Sequence, residues 1–186
     1  MRLAVLAAML MAVAGCQPSA AEGKAAGDTA AAPSPPADAT GAQAPAPDPA
    51  AIAALDAKFD PARDAATDLQ LAMAEARHSG RRIVLDVGGE WCPWCHRMDA
   101  FLHDDAQLHA LRDAGYVWMK VNYSEENENA AFLSRFPEVK GYPHLFVLDA
   151  DGKLLHSQFT GALEAGKSYD RDKFVAFLKA WAPGQS

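Results

Sequence analysis

Cysteine is scarce in this chain: there are three among 186 residues. A structural zinc site built from two Cys-x-x-Cys pairs is excluded, because only one such pair exists and a tetrahedral site needs two further ligands. Positive charge is short as well. The net charge of −7 argues against nucleic acid, whose phosphates require a basic face. Beyond the N-terminus no stretch approaches the roughly 18 apolar residues of a membrane-crossing helix, and no internal repeat is found. What is present is a chain with 50% hydrophobic residues, enough for the core of one ordinary domain and some additional length.

The scarcity is uneven. From Gln17 to Ala50 there is no Leu, Ile, Val, Met or aromatic residue, while seven prolines and many alanines occur. Such a stretch buries too little apolar surface to offset its ordering entropy. Prolines stiffen it toward polyproline II, with a reach of at most ~100 Å at about 3.1 Å per residue. It reads as a tether. Before it, Arg2 precedes the unbroken apolar stretch Leu3 to Ala14, and small residues lead through Val13-Ala14-Gly15 into Cys16. This is the make-up of an export signal, and it resembles the lipobox of bacterial lipoproteins. That resemblance implies cleavage before Cys16, acylation of its thiol, and an N-terminal lipid anchor at the envelope. Gln17 stands where an Asp is linked with inner-membrane retention, which favours the outer membrane. The expected organisation is a signal peptide over 1–15, a lipidated cysteine and tether over 16–50, and a folded domain over 51–186.

Within that domain, Asp60-Pro61 opens a helical pattern with Leu69, Met73 and Ala76 at helical spacing, and Gly80 ends it. Arg81 to Val87 contains the apolar run of a buried strand. Pro93 onward reads as a helix with Met98, Phe101 and Leu102 on one side, followed by a helix over Asp105 to Asp113 and a strand over Tyr116 to Val121. A short helix from Ala130 to Arg135 precedes a strand at His144 to Leu148. Asp149 to Gly152 is a hairpin turn with Lys153 to Phe159 as the return strand. Arg171 to Trp181 is an amphipathic helix whose Phe174, Phe177 and Trp181 read as core. Strands alternating with helices imply a largely parallel α/β sheet, to which the late hairpin adds antiparallel strands. The expected fold is a three-layer α/β/α arrangement with a mixed central sheet and a closing helix.

The chemistry centres on Trp91-Cys92-Pro93-Trp94-Cys95-His96. A Cys-x-x-Cys pair after a strand and opening a helix puts the first sulfur where unpaired N–H groups and the macrodipole favour the thiolate. Pro93 fits the first helical turn, where an N–H would have no partner. Cys95, on the same face, can resolve a mixed disulfide. The six residues alone leave other readings open. Cys-x-x-Cys-His is the attachment signature of c-type haem, with Met98 or Met119 available as an axial ligand. An inert disulfide is a further reading, though so short a loop adds little constraint.

The surroundings resemble the thioredoxin superfamily over most of Arg81 to Trp181. Ile83-Val84-Leu85-Asp86-Val87-Gly88-Gly89-Glu90-Trp91-Cys92 is similar to the thioredoxin strand that runs into its active site. By that resemblance Asp86 is a buried acid that exchanges a proton with Cys95; otherwise it is a solvated strand-end acid. Gly141-Tyr142-Pro143-His144-Leu145-Phe146-Val147-Leu148 is similar to the thioredoxin loop with a cis-proline before a core strand. The resemblance implies that Pro143 is cis and lies against the cysteine pair, with the Tyr142 backbone pairing an extended client. Two marks in compatible order favour a redox pair over haem. The departures are Pro93-Trp94 between the cysteines, His96 where a Lys is usual, and Gly88 where an aromatic is common; such positions tune the thiolate.

The expected activity is therefore thiol–disulfide exchange without a cofactor or resident metal. Cys92 is the nucleophile, Cys95 the resolving thiol and Asp86 the proton acceptor. Trp91 and Trp94 read as exposed client contacts, beside Tyr142 and Pro143. The expected partners are protein disulfide or dithiol clients and an envelope electron donor. The alternative is a copper or haem carrier using the same cysteines with His96 and His144. His103, Asp104, Asp105 and His109 read as a solvated helix start, Ser124 to Glu128 as a capped loop and Trp118 as core.

Overall fold

The computed structural model describes residues 46–184. Arg2, Cys16 and the signal and tether readings up to residue 45 lie outside the described residues. In chain order the elements are α1 (Pro49–Ala54), α2 (Ala65–Ser79), β1 (Arg82–Gly88), α3 (Pro93–Asp104), α4 (Ala106–Gly115), β2 (Tyr116–Asn122), α5 (Ala130–Leu133), β3 (His144–Leu148), β4 (Leu154–Phe159), a 3₁₀ turn at Thr160–Leu163, β5 (Glu164–Ala165), β6 (Ser168–Tyr169) and α6 (Arg171–Ala180).

The helix boundaries follow capping chemistry. Asp64 accepts the N–H of Thr67 and starts α2, so Pro61 falls in the preceding turn rather than in the helix. Gly80 ends α2 in the left-handed region at φ 74°, its N–H bonded to Ala76 O. Asp105 receives the N–H groups of Gln107 and Leu108, breaking α3 from α4, and Asp170 caps α6 in the same way. Asp48 caps α1, a short helix that takes in Pro49 and Ala50 from the end of the alanine- and proline-rich stretch.

The four-stranded sheet has the order β2-β1-β3-β4. Only β1 and β2 pair in parallel; β1–β3 and β3–β4 are antiparallel, so the expectation of a largely parallel sheet is corrected. The cause is topological: α3 and α4 cross over between β1 and β2, whereas the chain reaches β3 from the opposite end and turns straight back into β4. The short β5–β6 hairpin and the 3₁₀ turn carry no periodicity and were not expected. β1 is buried on both faces, as a central strand between helix layers must be. On one face Ile83, Leu85, Val87 and Phe146 pack with Leu69, Ala72 and Ala76 of α2. On the other, Val84, Leu145 and Val147 pack with Met98 and Leu102 of α3, Leu108 of α4, and Phe174, Phe177 and Leu178 of α6. Each large side chain so buried contributes roughly 1.5–3 kcal/mol. The three layers of an α/β/α fold are thus in place, with the C-terminal end of β1 feeding directly into α3.

Candidate active site

Cys92 is the N-cap of α3. Its Sγ accepts the N–H of Cys95 at 3.1 Å, and Pro93 occupies the first turn. The two cysteines form a disulfide with a Cα–Cα separation of 5.3 Å. Both are buried; they cluster with Phe59, and Trp94 and Tyr142 pack against that cluster.

Asp86 and Gly88 project from the same face of β1, two residues apart. A Cβ at Gly88 would stand 2.5 Å from Cys95 Sγ, so the sulfur occupies the space that a side chain there would fill. Gly88, whose place is commonly aromatic in the resembling family, is what lets Cys95 settle against the strand face that carries Asp86. Gly88→Ala is accordingly expected to destabilise the oxidised chain by about 1–3 kcal/mol through overpacking. A lower urea midpoint of the oxidised form checks this; an unchanged midpoint refutes the close approach.

Asp86 is fully buried. Its Oδ2 accepts the Trp118 indole N–H at 3.2 Å, and its Oδ1 makes no hydrogen bond among the described residues. Withdrawal from water, reinforced by the negative charge of Asp99, pushes its carboxyl up to about 7 against the opposing effect of Lys120. Lys120 lies directly across from Asp86 in the β1–β2 register, but its Nζ is taken by Asp99 Oδ2 at 2.6 Å. A buried carboxyl held near neutrality, on the strand face against which Cys95 lies, is suited to exchanging a proton with a thiol.

The Tyr142–Pro143 peptide bond is cis. Pro143 is buried, and its carbonyl accepts a hydrogen bond from Thr160 Oγ1 at 2.5 Å. The Tyr142 ring stacks on Tyr123 at 4.9 Å and meets the Trp91 ring edge-on at 5.5 Å. Trp91 is 54% exposed, with its indole N–H fixed on Tyr123 O at 2.7 Å. Trp94 differs from its expectation as an exposed residue: it is half-buried, edge-on to Tyr169 and covered by the Arg97 guanidinium.

The two histidines are not brought together with the sulfurs. His96 is exposed and bonds Glu90 O at 2.8 Å. His144 bonds Ser157 Oγ at 2.9 Å, and burial pushes its imidazole down to about 4. Asp86 pairs with Leu145 and His144 with Val87, so Asp86 and His144 point to opposite faces of the sheet. Among the described residues no group of three or more His, Cys, Asp or Glu side chains is arranged to hold a metal. Met98 and Met119 are buried in the core. Asp105 serves as a helix cap, while His103 and His109 are solvated, next to Asp104 and Asp113.

Sequence reasoning missed three residues here. Phe59 lies outside any periodic element, so nothing marked it. Glu90 holds the Phe59 N–H at 2.8 Å. Trp118 read only as core, yet it is the hydrogen-bond donor to Asp86; its register opposite Val84, two residues from Asp86, is the signal that a strand alignment would have supplied.

A family model described as thioredoxin-like matches residues 64–150, which run from the α2 cap through β1, the cysteine pair, β2 and β3. Over these residues the chain is similar to the thioredoxin-like family. The thiol:disulfide interchange proteins DsbD of Pseudomonas fluorescens and Pseudoalteromonas atlantica are similar to it. The first is 30% identical over 116 residues (61% of this chain, 18% of the relative) and the second 28% over 101 residues (53% and 17%). The chain thus spans less than a fifth of the length of these curated relatives. The crystal structure of a disulphide isomerase from Xylella fastidiosa Temecula1 superposes with a TM-score of 0.57 at 21% identity, covering 65% of this chain and 93% of that one. That likeness is one of fold. A thioredoxin fold with a disulfide at the N-terminus of α3 and a buried acid on the adjoining strand carries the equipment of thiol–disulfide exchange.

Proposed function

We propose that this protein is an envelope-located, lipid-anchored thiol–disulfide oxidoreductase that reduces or isomerises disulfides of protein clients. The observation that carries the reading is the Cys92–Cys95 disulfide capping α3 with buried Asp86 on the adjoining strand. In the reduced enzyme the Cys92 thiolate attacks one sulfur of a client disulfide, and the client's other sulfur leaves with the electron pair. Asp86 then takes the proton from the Cys95 thiol. The resulting thiolate attacks Cys92 Sγ, which releases the client's remaining thiolate and leaves the Cys92–Cys95 disulfide. The released thiolate recovers a proton from Asp86 or water. Two electrons have passed to the client, and an envelope electron donor restores the dithiol. Asp86 supports the reducing or isomerising direction, because it assists the step that ejects reduced product.

Trp91, Trp94, Tyr142 and Pro143 are assigned to client binding; the packing of Tyr142 and Trp94 against the cysteine cluster and of Trp91 against Tyr142 supports this. The lipid anchor at Cys16 is supported by the lipobox resemblance. The envelope location is supported by that resemblance and by the likeness to the interchange proteins. No helix among the described residues is long and apolar enough to cross a membrane. Equilibration of the full chain against glutathione redox buffers, followed by thiol trapping and a visible spectrum, tests the reading. A colourless protein with one reversible two-electron transition is expected. A Soret band, or a pair that never cycles, would favour the haem or copper carrier instead.

A further inference from the structure

The two sulfurs are more enclosed than their proposed chemistry allows, since Cys92 is 2% exposed and an incoming thiol must reach its Sγ. The three walls over the pair are held unequally. Trp94 is part of α3 and is clamped between Arg97 and Tyr169. Tyr142 is fixed by its stack on Tyr123. Phe59 belongs to the segment between α1 and α2, which has no helical or strand bonding at that point. The segment is tied at both flanks, where Leu55 O accepts the Lys120 N–H at 2.8 Å and Pro61 O accepts from Asn127 Nδ2 at 2.9 Å. Between these ties Ala57 and Lys58 are exposed, and the Phe59 ring turns inward to within reach of Gly88 and the sulfurs. Its backbone is held there by the Glu90 carboxylate, whose side chain is itself 53% exposed. The ring also lies 4.8 Å from the Lys120 ammonium, so a strap anchored at both ends holds one inward ring by that contact and by the exposed Glu90 latch, and is built to swing locally.

We propose that Phe59 is a gate over the Cys92–Cys95 disulfide that slows the access of thiols and must swing aside before one reaches Cys92 Sγ. The inference rests on the oxidoreductase reading and deepens it: reaction at Cys92 Sγ is regulated by the opening of this strap. Dithiothreitol serves as the small probe. Its thiolate attacks Cys92 Sγ, the S–S bond breaks with the electron pair going to Cys95 Sγ, and that thiolate takes up a proton from Asp86 or water. The second thiol of the probe then closes its ring and releases Cys92 as thiolate, so two electrons enter the protein.

The experiment follows reduction of the oxidised full chain by dithiothreitol in a stopped-flow instrument through tryptophan fluorescence. Exposing one phenylalanine side chain sets the closed-to-open ratio, so Phe59→Ala is expected to react roughly ten- to a hundredfold faster than wild type. Glu90→Ala, which frees the latch and leaves the ring, is expected to react several-fold faster. Glu90→Gln, which keeps an acceptor for the Phe59 N–H and removes only the charge, should match wild type. Rates for cooperatively folding Phe59→Ala equal to wild type overturn the gate. Should that variant fail to fold, an unchanged rate in Glu90→Ala overturns it, as does equal acceleration in Glu90→Ala and Glu90→Gln. A wild-type disulfide that resists dithiothreitol altogether, with no insulin reduction, overturns the oxidoreductase reading and the gate together.

Discussion

Replacing Cys92 with serine is expected to bring insulin reduction by the full chain down to the uncatalysed rate, a loss of at least about a thousandfold. The size of the effect follows from the position. Cys92 is the N-cap of α3, so the N–H groups of the first turn point at its sulfur and favour the thiolate. A serine hydroxyl at the same cap keeps the helix start, since serine is a good N-cap residue. It stays protonated at neutral pH, however, and forms no disulfide. Cys95→Ser should behave differently. The Cys92 thiolate still attacks, but nothing resolves the product, and a Cys92–client mixed disulfide accumulates that non-reducing electrophoresis and mass measurement detect. Retained turnover in Cys92→Ser would remove the mechanism. A client trapped on Cys95 in Cys92→Ser, with none trapped in Cys95→Ser, would exchange the two roles.

Asp86→Asn is expected to stabilise the protein at about pH 8 while slowing it. Burial first, then Asp99 and Asp56, raise this carboxyl to about 7, while Lys120 and the Trp118 N–H oppose them. An unfolded chain releases the same proton near 3.8. Between those values the native state holds a proton that the unfolded state has lost. Stability from this group is therefore complete below about pH 4 and is lost as pH rises through about 7. The span of roughly three units corresponds to at most about 4 kcal/mol. Asparagine cannot ionise and still accepts from Trp118, so urea unfolding should show the variant more stable than wild type at pH 8 and equal to it at about pH 4. Because the proton acceptor for Cys95 is gone, turnover near pH 7 should fall about a hundredfold, within the ordinary range for a lost general base. A variant less stable than wild type at pH 8 would mean that Asp86 is not a buried, neutralised acid.

Most of the fold was legible because its signals are local. The apolar run from Ile83 to Val87, the periodic faces of α3 and α6, and the turn at Asp149 to Gly152 each encode an element without reference to anything distant. Strand direction was legible only in part. The parallel β1–β2 pair follows from the helices between them, but β3 enters antiparallel to β1 because of where the chain emerges after α5, which periodicity does not record. The β5–β6 hairpin, two residues to a strand, is below the length at which alternation can be read. At the site, the cysteine pair and Asp86 were visible as types and spacings. Phe59 and Glu90 were not, because they serve through contacts that close across the fold rather than along the chain.

By itself the sequence determined the cysteine pair, its place at a helix start, the acid six residues upstream and the Tyr142-Pro143 loop downstream. All are fixed by chemistry at short range: a cap, a strand period, a proline. The redox reading of the pair came with the family resemblance. Only the tertiary structure decided how dry that pair is. It placed Cys95 in the space left by Gly88, sealed the disulfide under Phe59, tied Lys120 to Asp99 and left the Asp86 carboxyl poised near neutrality. Burial and the sharing of charges belong to the packed whole, since each depends on side chains that meet only when the strap, β1, β2 and α3 come together.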